Sequence, residues 1–265
     1  MALRSMFKGS LVVGKIKLPV KLYAAVEERR MHFRFLSPKD HQPVTQQMVD
    51  TTTGKVVSSR DIRKGFHLDD GSFVLLDPGE LKSLQPKASR DLRVTERLSQ
   101  DSVPAQWFLR PYYLGPDGST DAYTALHTAL RESGELLLTH WVMRGNEYVG
   151  VVRAEPACLS ITTLRHADEV VDASQLTGPS VQASAKEVSM AKQLVEAFTG
   201  EFDPALFQDE YTKRLEALVA AKRAGKKVRL SRASAKPASE GSLERALSQS
   251  LKRAKKPTRK ERAVA

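Results

Sequence analysis

Lysine and arginine are the side chains of this sequence with the clearest chemical use, because both bind phosphate and other anions. They are unevenly distributed. Residues 221–265 hold 15 Lys and Arg against 3 Asp and Glu, whereas the first 220 residues hold 27 against 28. A nearly neutral body is therefore followed by a strongly basic tail that has too few apolar residues to fold alone. This combination favours a polyanionic partner, most often nucleic acid. A tail that only solubilises the chain is the alternative interpretation.

Smaller groups of basic residues lie within the body. They fall near one predicted strand, in the segment after it and at a predicted hairpin tip: Arg29, Arg30, Arg34 and Lys39; then Lys55, Arg60, Arg63 and Lys64; then Arg144. Taken alone, these groups are best interpreted as ordinary solvated strand faces. A single positive surface is the alternative.

Catalytic chemistry is poorly represented. The six histidines are scattered singly, and no phosphate-binding glycine loop, H-E-x-x-H motif or zinc-type cysteine and histidine spacing occurs. Cys158, the one cysteine, is interpreted as a small core residue; it excludes an internal disulfide and fits a reducing compartment. No apolar run approaches the roughly 18 residues of a membrane helix. We therefore expect a cytoplasmic binding protein without catalytic residues, cofactor, metal or membrane contact.

The elements that position these residues are mostly strands up to about residue 175. Residues 15–22 and 31–35 alternate apolar and polar side chains, which predicts strands with one buried face. Similar runs follow at 72–76, 136–144, 148–154 and 159–164, and residues 145–147 predict a hairpin between the second and third of these. A helix is predicted from Asp121 to Gly134. Many short strands of this spacing predict a barrel or a sandwich.

The periodicity becomes helical after Gly178 and Pro179. Ser184 and Glu187 form a capping box that predicts the start of one amphipathic helix. Asp203 and Pro204 predict the start of a second helix, which ends near Gly225. One further amphipathic pattern begins at Ser242 in the tail.

Seven short motifs follow one another along the chain. They lie at residues 7–10 (FKGS), 18–23 (LPVKLY), 64–66 (KGF), 110–114 (RPYYL), 164–170 (LRHADEV), 190–194 (MAKQL) and 201–204 (EFDP), with Tyr211 after the last. Their order and spacing over roughly residues 5–225 resemble those of bacterial Ku proteins.

The resemblance implies a mainly β fold with C-terminal α-helices. Residues 1–178 would form a Ku-type β-barrel core with bridging strands that build a DNA-encircling, dimeric ring. Residues 179–225 would form a helical arm that packs on the dimer partner, and residues 226–265 a disordered basic tail. The implied function is homodimeric, sequence-independent binding of double-stranded DNA ends, which thread through the ring. Such a protein protects the ends and recruits the ATP-dependent DNA ligase D in non-homologous end joining, in the bacterial nucleoid.

The resemblance also assigns residues. The bridge corresponds to about Met31–Leu76. Candidate DNA-binding residues lie in and beside the bridge, at the hairpin and in the tail: Arg30, Arg34, Lys55, Arg60, Arg63, Lys64, Arg144, Lys226, Lys227, Arg229, Lys252, Arg253, Lys255 and Lys256. Ligase contact is expected between about residues 211 and 232, at Tyr211, Leu215, Leu218, Lys222 and Arg223. Many relatives carry Cys-x-x-Cys-Gly in the bridge; residues 47–54 here contain no cysteine, so no metal or thiol role is expected there.

Three other classes of protein remain open. A nucleoid-associated protein with the same basic tail would bind closed circles as well as linear DNA. A ligase scaffold would bind DNA weakly without its partner. An enzyme is least favoured, and a nuclease activity that is lost on chelation would point to one.

Overall fold

The computed structural model describes residues 3–27, 29, 31–118, 120–176 and 183–225. It divides into two units, Met1–Ala173 and Ser174–Ala265. The first unit contains nine strands and two helices in the described ranges: β1 Ser5–Val13, β2 Ile16–Ala24, β3 Lys64–His67, β4 Phe73–Leu76, α1 Pro78–Ser83, β5 Asp91–Leu98, β6 Phe108–Pro116, α2 Asp121–Ser133, β7 Leu136–Met143, β8 Asn146–Ala154 and β9 Leu159–Leu164. The second contains α3 Ala185–Glu196 and α4 Glu210–Arg223.

Seven of the strands form a closed barrel in the order β1-β2-β6-β9-β8-β7-β5. Neighbouring strands are antiparallel except β5 and β1, which pair in parallel and close the barrel. Closure leaves none of the seven strands with an unpaired edge. The predicted mainly β architecture with a barrel core is confirmed.

The barrel core follows from the period-2 pattern of its strands. In β2, Leu18, Val20 and Leu22 are buried, while Lys17 and Pro19, at the alternate positions, are exposed. Leu92 of β5 and Ile161 of β9 are also fully buried, as parts of the same cluster. Burial of each such side chain stabilises the fold by roughly 1.5–3 kcal/mol.

Helix α2 forms where the sequence predicts a helix, and Gly134 ends it in a left-handed conformation (φ 68°). The structure adds that the helix packs against the barrel. It buries Tyr123 and Leu130 in the core cluster. The Tyr123 hydroxyl donates to the Leu114 carbonyl and accepts a 2.8 Å bond from the Leu159 amide. Leu114 and Leu159 are partners in the β6–β9 register, so one side chain ties the helix to the end of that strand pair.

The segment from residue 31 to residue 76, called the bridge segment below, contains no barrel strand. It is organised by two isolated β-bridges, Leu36 with Pro43 and Val49 with Val56, and by the β3–β4 hairpin. The strand predicted at 31–35 is wrong, and so is its buried face: Phe33 and Phe35 are 71% and 69% exposed. No residue of the segment is buried within the chain.

The second unit confirms one predicted helix start and corrects the other. Helix α3 begins at the Ser184–Glu187 capping box. Pro204 instead starts only a single 3-10 turn, Pro204–Leu206, and the chain becomes α-helical again at Glu210. The cause is a stronger cap, because the Asp209 carboxylate accepts from the amides of Tyr211 and Thr212. The helical pattern from Ser242 lies outside the described residues.

Candidate nucleic-acid interface

Three of the predicted DNA-binding residues are spread along the bridge segment. Arg34, Lys55 and Arg60 are exposed, and none forms an ion pair with an acid of the described residues. Lys55 follows a tight turn between the two partners of the Val49–Val56 bridge. These cations are free to meet an external anion, but their side chains do not converge on one another.

The turn before Lys55 lies within residues 47–54, a stretch without cysteine. Here the Asp50 carboxylate accepts from the amides of Thr52, at 2.9 Å, and Thr53, at 2.7 Å. These hydrogen bonds to the charged form lower the pKa of Asp50, with the Thr53 amide as the main cause. A carboxylate hydrogen-bonded to backbone amides thus stabilises the loop locally.

Arg63 and Lys64 lie together at the root of the β3–β4 hairpin. The Arg63 guanidinium donates to the Arg60 carbonyl at 2.7 Å, which holds the side chain next to Arg60. Lys64 pairs with Leu76, directly before the cap of α1. Both cations line a cavity of about 470 Å³ between the hairpin and α1, which Lys82 also lines.

Arg144 lies at the tip of the β7–β8 hairpin. The hairpin is confirmed, but its turn is Arg144-Gly145, with Met143 paired to Asn146. Both turn residues are left-handed (φ 54° and 78°), a conformation that favours asparagine and glycine. Arg144 lines a second cavity, of about 460 Å³, together with Arg90.

The structure therefore brings some predicted residues together and leaves others apart. Arg60, Arg63 and Lys64 form one group, Arg144 lines the second cavity, and Arg34 and Lys55 line neither cavity. Eight predicted DNA-binding residues lie outside the described residues: Arg30, Lys226, Lys227, Arg229, Lys252, Arg253, Lys255 and Lys256. Sequence reasoning missed Lys82 and Arg90, because each is an isolated cation in a short helix or a loop and no periodic pattern marks it.

Three lysines on β1 and β2 are instead paired with acids. Asp117 pairs with Lys21 and, at 3.6 Å, with Lys8. The hydrogen bond between Lys21 and Asp117 raises the pKa of Lys21 and lowers that of Asp117. Asp91 likewise pairs with Lys17 at 3.3 Å. These paired surfaces are poor candidates for phosphate binding.

The predicted ligase-contact residues lie on α4. Tyr211, Leu215, Leu218 and Lys222 follow the helical spacing of one face, and Arg223 is the last residue of the helix. Tyr211 is 69% exposed. One helix thus carries a solvent-exposed aromatic side chain in its first turn and two cations in its last, residue types that are common at protein contact sites.

Neither Cys158 nor a cluster of metal-binding side chains offers catalytic chemistry in the described ranges. Burial, and then the charge of Glu155, raise the pKa of the Cys158 thiol, which keeps it protonated near neutral pH. Among residues 3–27, 29, 31–118, 120–176 and 183–225, no three His, Cys, Asp or Glu side chains converge as metal ligands. No helix in the part of the chain that the structure describes could cross a membrane.

The barrel and the segment that leaves it can be compared with known families. The family described as Ku70/Ku80 beta-barrel domain matches residues 12–190. The chain belongs to the Ku family. The match covers the barrel from the end of β1 onward, the bridge segment and the start of α3, so the predicted Ku-type β-barrel fold is confirmed.

Individual bacterial members of the Ku family match most of the chain. Non-homologous end joining protein Ku 2 of Geotalea uraniireducens is 33% identical over 96% of this chain and 99% of the relative. Non-homologous end joining protein Ku of Bacillus subtilis is 30% identical over 99% of this chain and 86% of the relative. The counterpart in Mycolicibacterium smegmatis is 31% identical over 84% of this chain and 72% of the relative. The similarity of the Geotalea and Bacillus proteins thus reaches well beyond the barrel.

Proposed function

We propose that this Ku-family protein binds ends of double-stranded DNA in non-homologous end joining, as a homodimer that forms a ring. The chain holds and protects the end without catalysis of its own. The names of its bacterial relatives support the pathway. The ring and the dimer are supported by one feature of the fold, the bridge segment.

The bridge segment carries an apolar surface that its own chain does not cover. Phe33, Phe35, Phe66 and Phe73 are all more than 60% exposed, and the β3–β4 hairpin has only two strands. Isolated two-stranded hairpins are marginally stable, and large exposed apolar patches are typical of interaction sites. A second copy of the chain is the simplest occupant, because two-fold pairing covers the same surface on both subunits.

A ring made in this way suits ends of any sequence. The exposed cations of the segment contact phosphates, which carry no base information, and leave the base edges unread. Closure adds a topological requirement, since DNA reaches the inside of the ring only from a free end. The requirement for a free DNA end therefore provides the specificity that phosphate contacts alone lack.

The basic tail adds affinity that does not depend on an end. Residues 226–265 are about 40 residues long, and a flexible chain of that length has an r.m.s. reach of roughly 35 Å. Each phosphate neutralised by a tail cation makes the negative slope of log affinity against log salt steeper by about 0.9. This contribution lets the tail hold DNA outside the ring.

Ligase D is the proposed protein partner, and α4 is the proposed contact. Its exposed Tyr211 and the Lys222–Arg223 pair provide an aromatic anchor and charge complementarity on one helix. Aromatic and arginine side chains dominate binding energy at protein interfaces.

A comparison of linear and covalently closed circular duplexes of one sequence tests the proposal. We expect the full-length protein, and a truncated protein that ends at Gly225, to bind linear DNA at physiological salt. The truncated protein should not bind circles measurably, whereas the tail should give the full-length protein some affinity for them. Gel-shift titrations measure both.

The same titrations identify the second candidate function. The charge of residues 221–265 favours a nucleoid-associated protein that binds through its tail. That protein would bind circles and linear DNA equally, and the truncated form would bind neither. Either result would remove the threading ring.

A further inference from the structure

The two cation-lined cavities of the first unit adjoin each other. Gln85 lines both of them: one cavity lies between the β3–β4 hairpin and α1, and the other beside the β7–β8 turn. Together they contain five cations, contributed by four separate parts of the chain: Arg63, Lys64, Lys82, Arg90 and Arg144. We propose that these cavities form one groove that binds consecutive phosphates of a DNA strand, with Lys82 and Arg90 as contact residues. The proposal rests on the DNA-binding function proposed above and assigns that function a place on the barrel.

No acid among the described residues compensates the charge of the groove. No Asp or Glu lines either cavity. None of the five cations forms an ion pair with an acid of the described residues. Like charges held close together repel one another, so such a cluster is favoured when an anion occupies it.

The acids nearest in sequence have other partners. The Glu80 carboxylate turns back to accept a 2.9 Å bond from the Asp77 amide in the capping box of α1. Asp91, directly after Arg90, pairs with Lys17 at 3.3 Å and lies 3.9 Å from Arg93. Neither carboxylate is free to neutralise Lys82 or Arg90.

The groove is held by backbone contacts. The Arg90 carbonyl accepts from the Ser10 amide at 2.8 Å, and an added Cβ at Gly9 would lie only 2.3 Å from that carbonyl. The segment before β5 is therefore pressed against β1, which fixes the start of the Arg90 side chain. On the other side, a Cβ at Gly145 would lie 3.2 Å from Gln85, so the hairpin turn packs on the same segment.

The residue at the turn is unusual for its conformation. A two-residue turn of this type favours asparagine at the position of Arg144. Arg144 places a charge at the rim of the groove, although an arginine side chain does not stabilise the left-handed backbone conformation at this position. The exposed cations from four parts of the chain suit an extended anion such as a nucleic-acid strand better than a single small one.

The test is the salt dependence of DNA binding by the full-length protein. The double variant Lys82→Gln/Arg90→Gln removes two contacts that the sequence does not mark. Arg144→Asn removes a third and keeps the turn. The matched control is Lys87→Gln, since Lys87 is exposed, lies between Lys82 and Arg90 and lines neither cavity. The probe is a short linear duplex followed by fluorescence anisotropy at several salt concentrations.

We expect the double variant to make the negative slope of log affinity against log salt shallower by about 1.8 for each groove that is engaged, and to weaken binding by about tenfold near 0.2 M salt. Arg144→Asn should make the slope shallower by about 0.9. All variants should melt like the wild-type protein, because the three side chains are exposed and form no ion pairs. If the double variant and Lys87→Gln behave alike, the groove is not a DNA site.

Two further results separate the remaining explanations. Inorganic pyrophosphate at constant ionic strength should displace DNA equally from the wild-type protein and the double variant. Displacement from the wild type alone would make the groove a small-anion site and overturn the assignment to a DNA strand. Wild-type binding to linear and circular DNA with equal affinity would overturn the ring, whatever the variants do.

Discussion

At the scale of single residues, Tyr123 has the most specific structural role. Its hydroxyl bonds two buried backbone groups that face each other across the β6–β9 pair. Burial raises the pKa of this phenol, so it stays protonated and continues to donate. The side chain thus couples α2 to the barrel through hydrogen bonds as well as apolar contact.

Tyr123→Phe should lower the free energy of unfolding by about 1–3 kcal/mol, because buried partners lose their hydrogen bond. Urea denaturation followed by circular dichroism measures the change. Tyr113→Phe is the matched control, since Tyr113 lies on β6 directly before Leu114, is 39% exposed, and its hydroxyl forms no hydrogen bond with a described residue. Equal stability of the two variants would contradict the role given to Tyr123.

The sequence could predict the chemistry of single residues but not which of them lie close together in the fold. Arg63 and Lys64 stand out because they are adjacent to each other and near Arg60. Lys82 and Arg90 come from elements without a basic pattern and meet the others only through the packing of the hairpins against α1 and the segment before β5. The convergence of side chains on a groove is a property of tertiary structure that one-dimensional spacing does not contain.

At the scale of elements, α4 provides the clearest matched pair of variants. Lys213 and Lys222 are nine residues apart, or about 2.5 turns, so they lie on opposite faces of one helix. Both are exposed, and Lys213 has an i,i+3 ion pair with Glu210 that contributes little at a surface.

For the proposed contact of α4 with ligase D, Lys222→Glu should weaken binding by about tenfold or more, since it reverses a charge on the face that carries Tyr211. Lys213→Glu should leave binding nearly unchanged. Biolayer interferometry with purified ligase D measures both, and circular dichroism checks that the helix is retained. Equal weakening by the two variants would count against a specific face.

Elements were predictable where the local signal and the core agree. Three patterns each predict a single local structure, and each structure is present: the alternation in β2, the capping box at Ser184 and the glycine that ends α2. The bridge segment was not predictable in this way, because alternation at Phe33 and Phe35 shows that a face is to be covered but not by which chain. The helix start predicted at Pro204 is wrong for a different reason, since the Asp209 cap starts the α-helix a few residues later.

At the scale of the whole molecule, the bridge segment is expected to affect assembly without affecting the stability of the barrel. Its apolar side chains contribute nothing to the barrel core, so their effect should appear only when a second copy is present. This distinction gives the proposed dimer a test that misfolding does not obscure.

Phe33→Ser/Phe35→Ser should weaken dimerisation by at least about 100-fold, because burial of each phenylalanine provides roughly 1.5–3 kcal/mol. The melting temperature of the barrel should change little. Size-exclusion chromatography with light scattering over a dilution series measures the molar mass. Leu84→Ser is the control, since Leu84 is 80% exposed and lies outside the bridge segment. A double variant that stays as dimeric as this control would place the dimer contact elsewhere.

The closure of the barrel by β1 and β5 has a consequence for how such proteins can diversify. The excursion from the end of β2 to the start of β5 begins and returns on strands that both pair with β1. Its anchors are therefore set by the barrel and are independent of what lies between them. Doubling the length of a flexible loop costs only about 0.6 kcal/mol of closure entropy. Insertions and deletions in the bridge segment could thus change the bore of the proposed ring, and the width of cargo it admits, while the barrel sequence stays untouched.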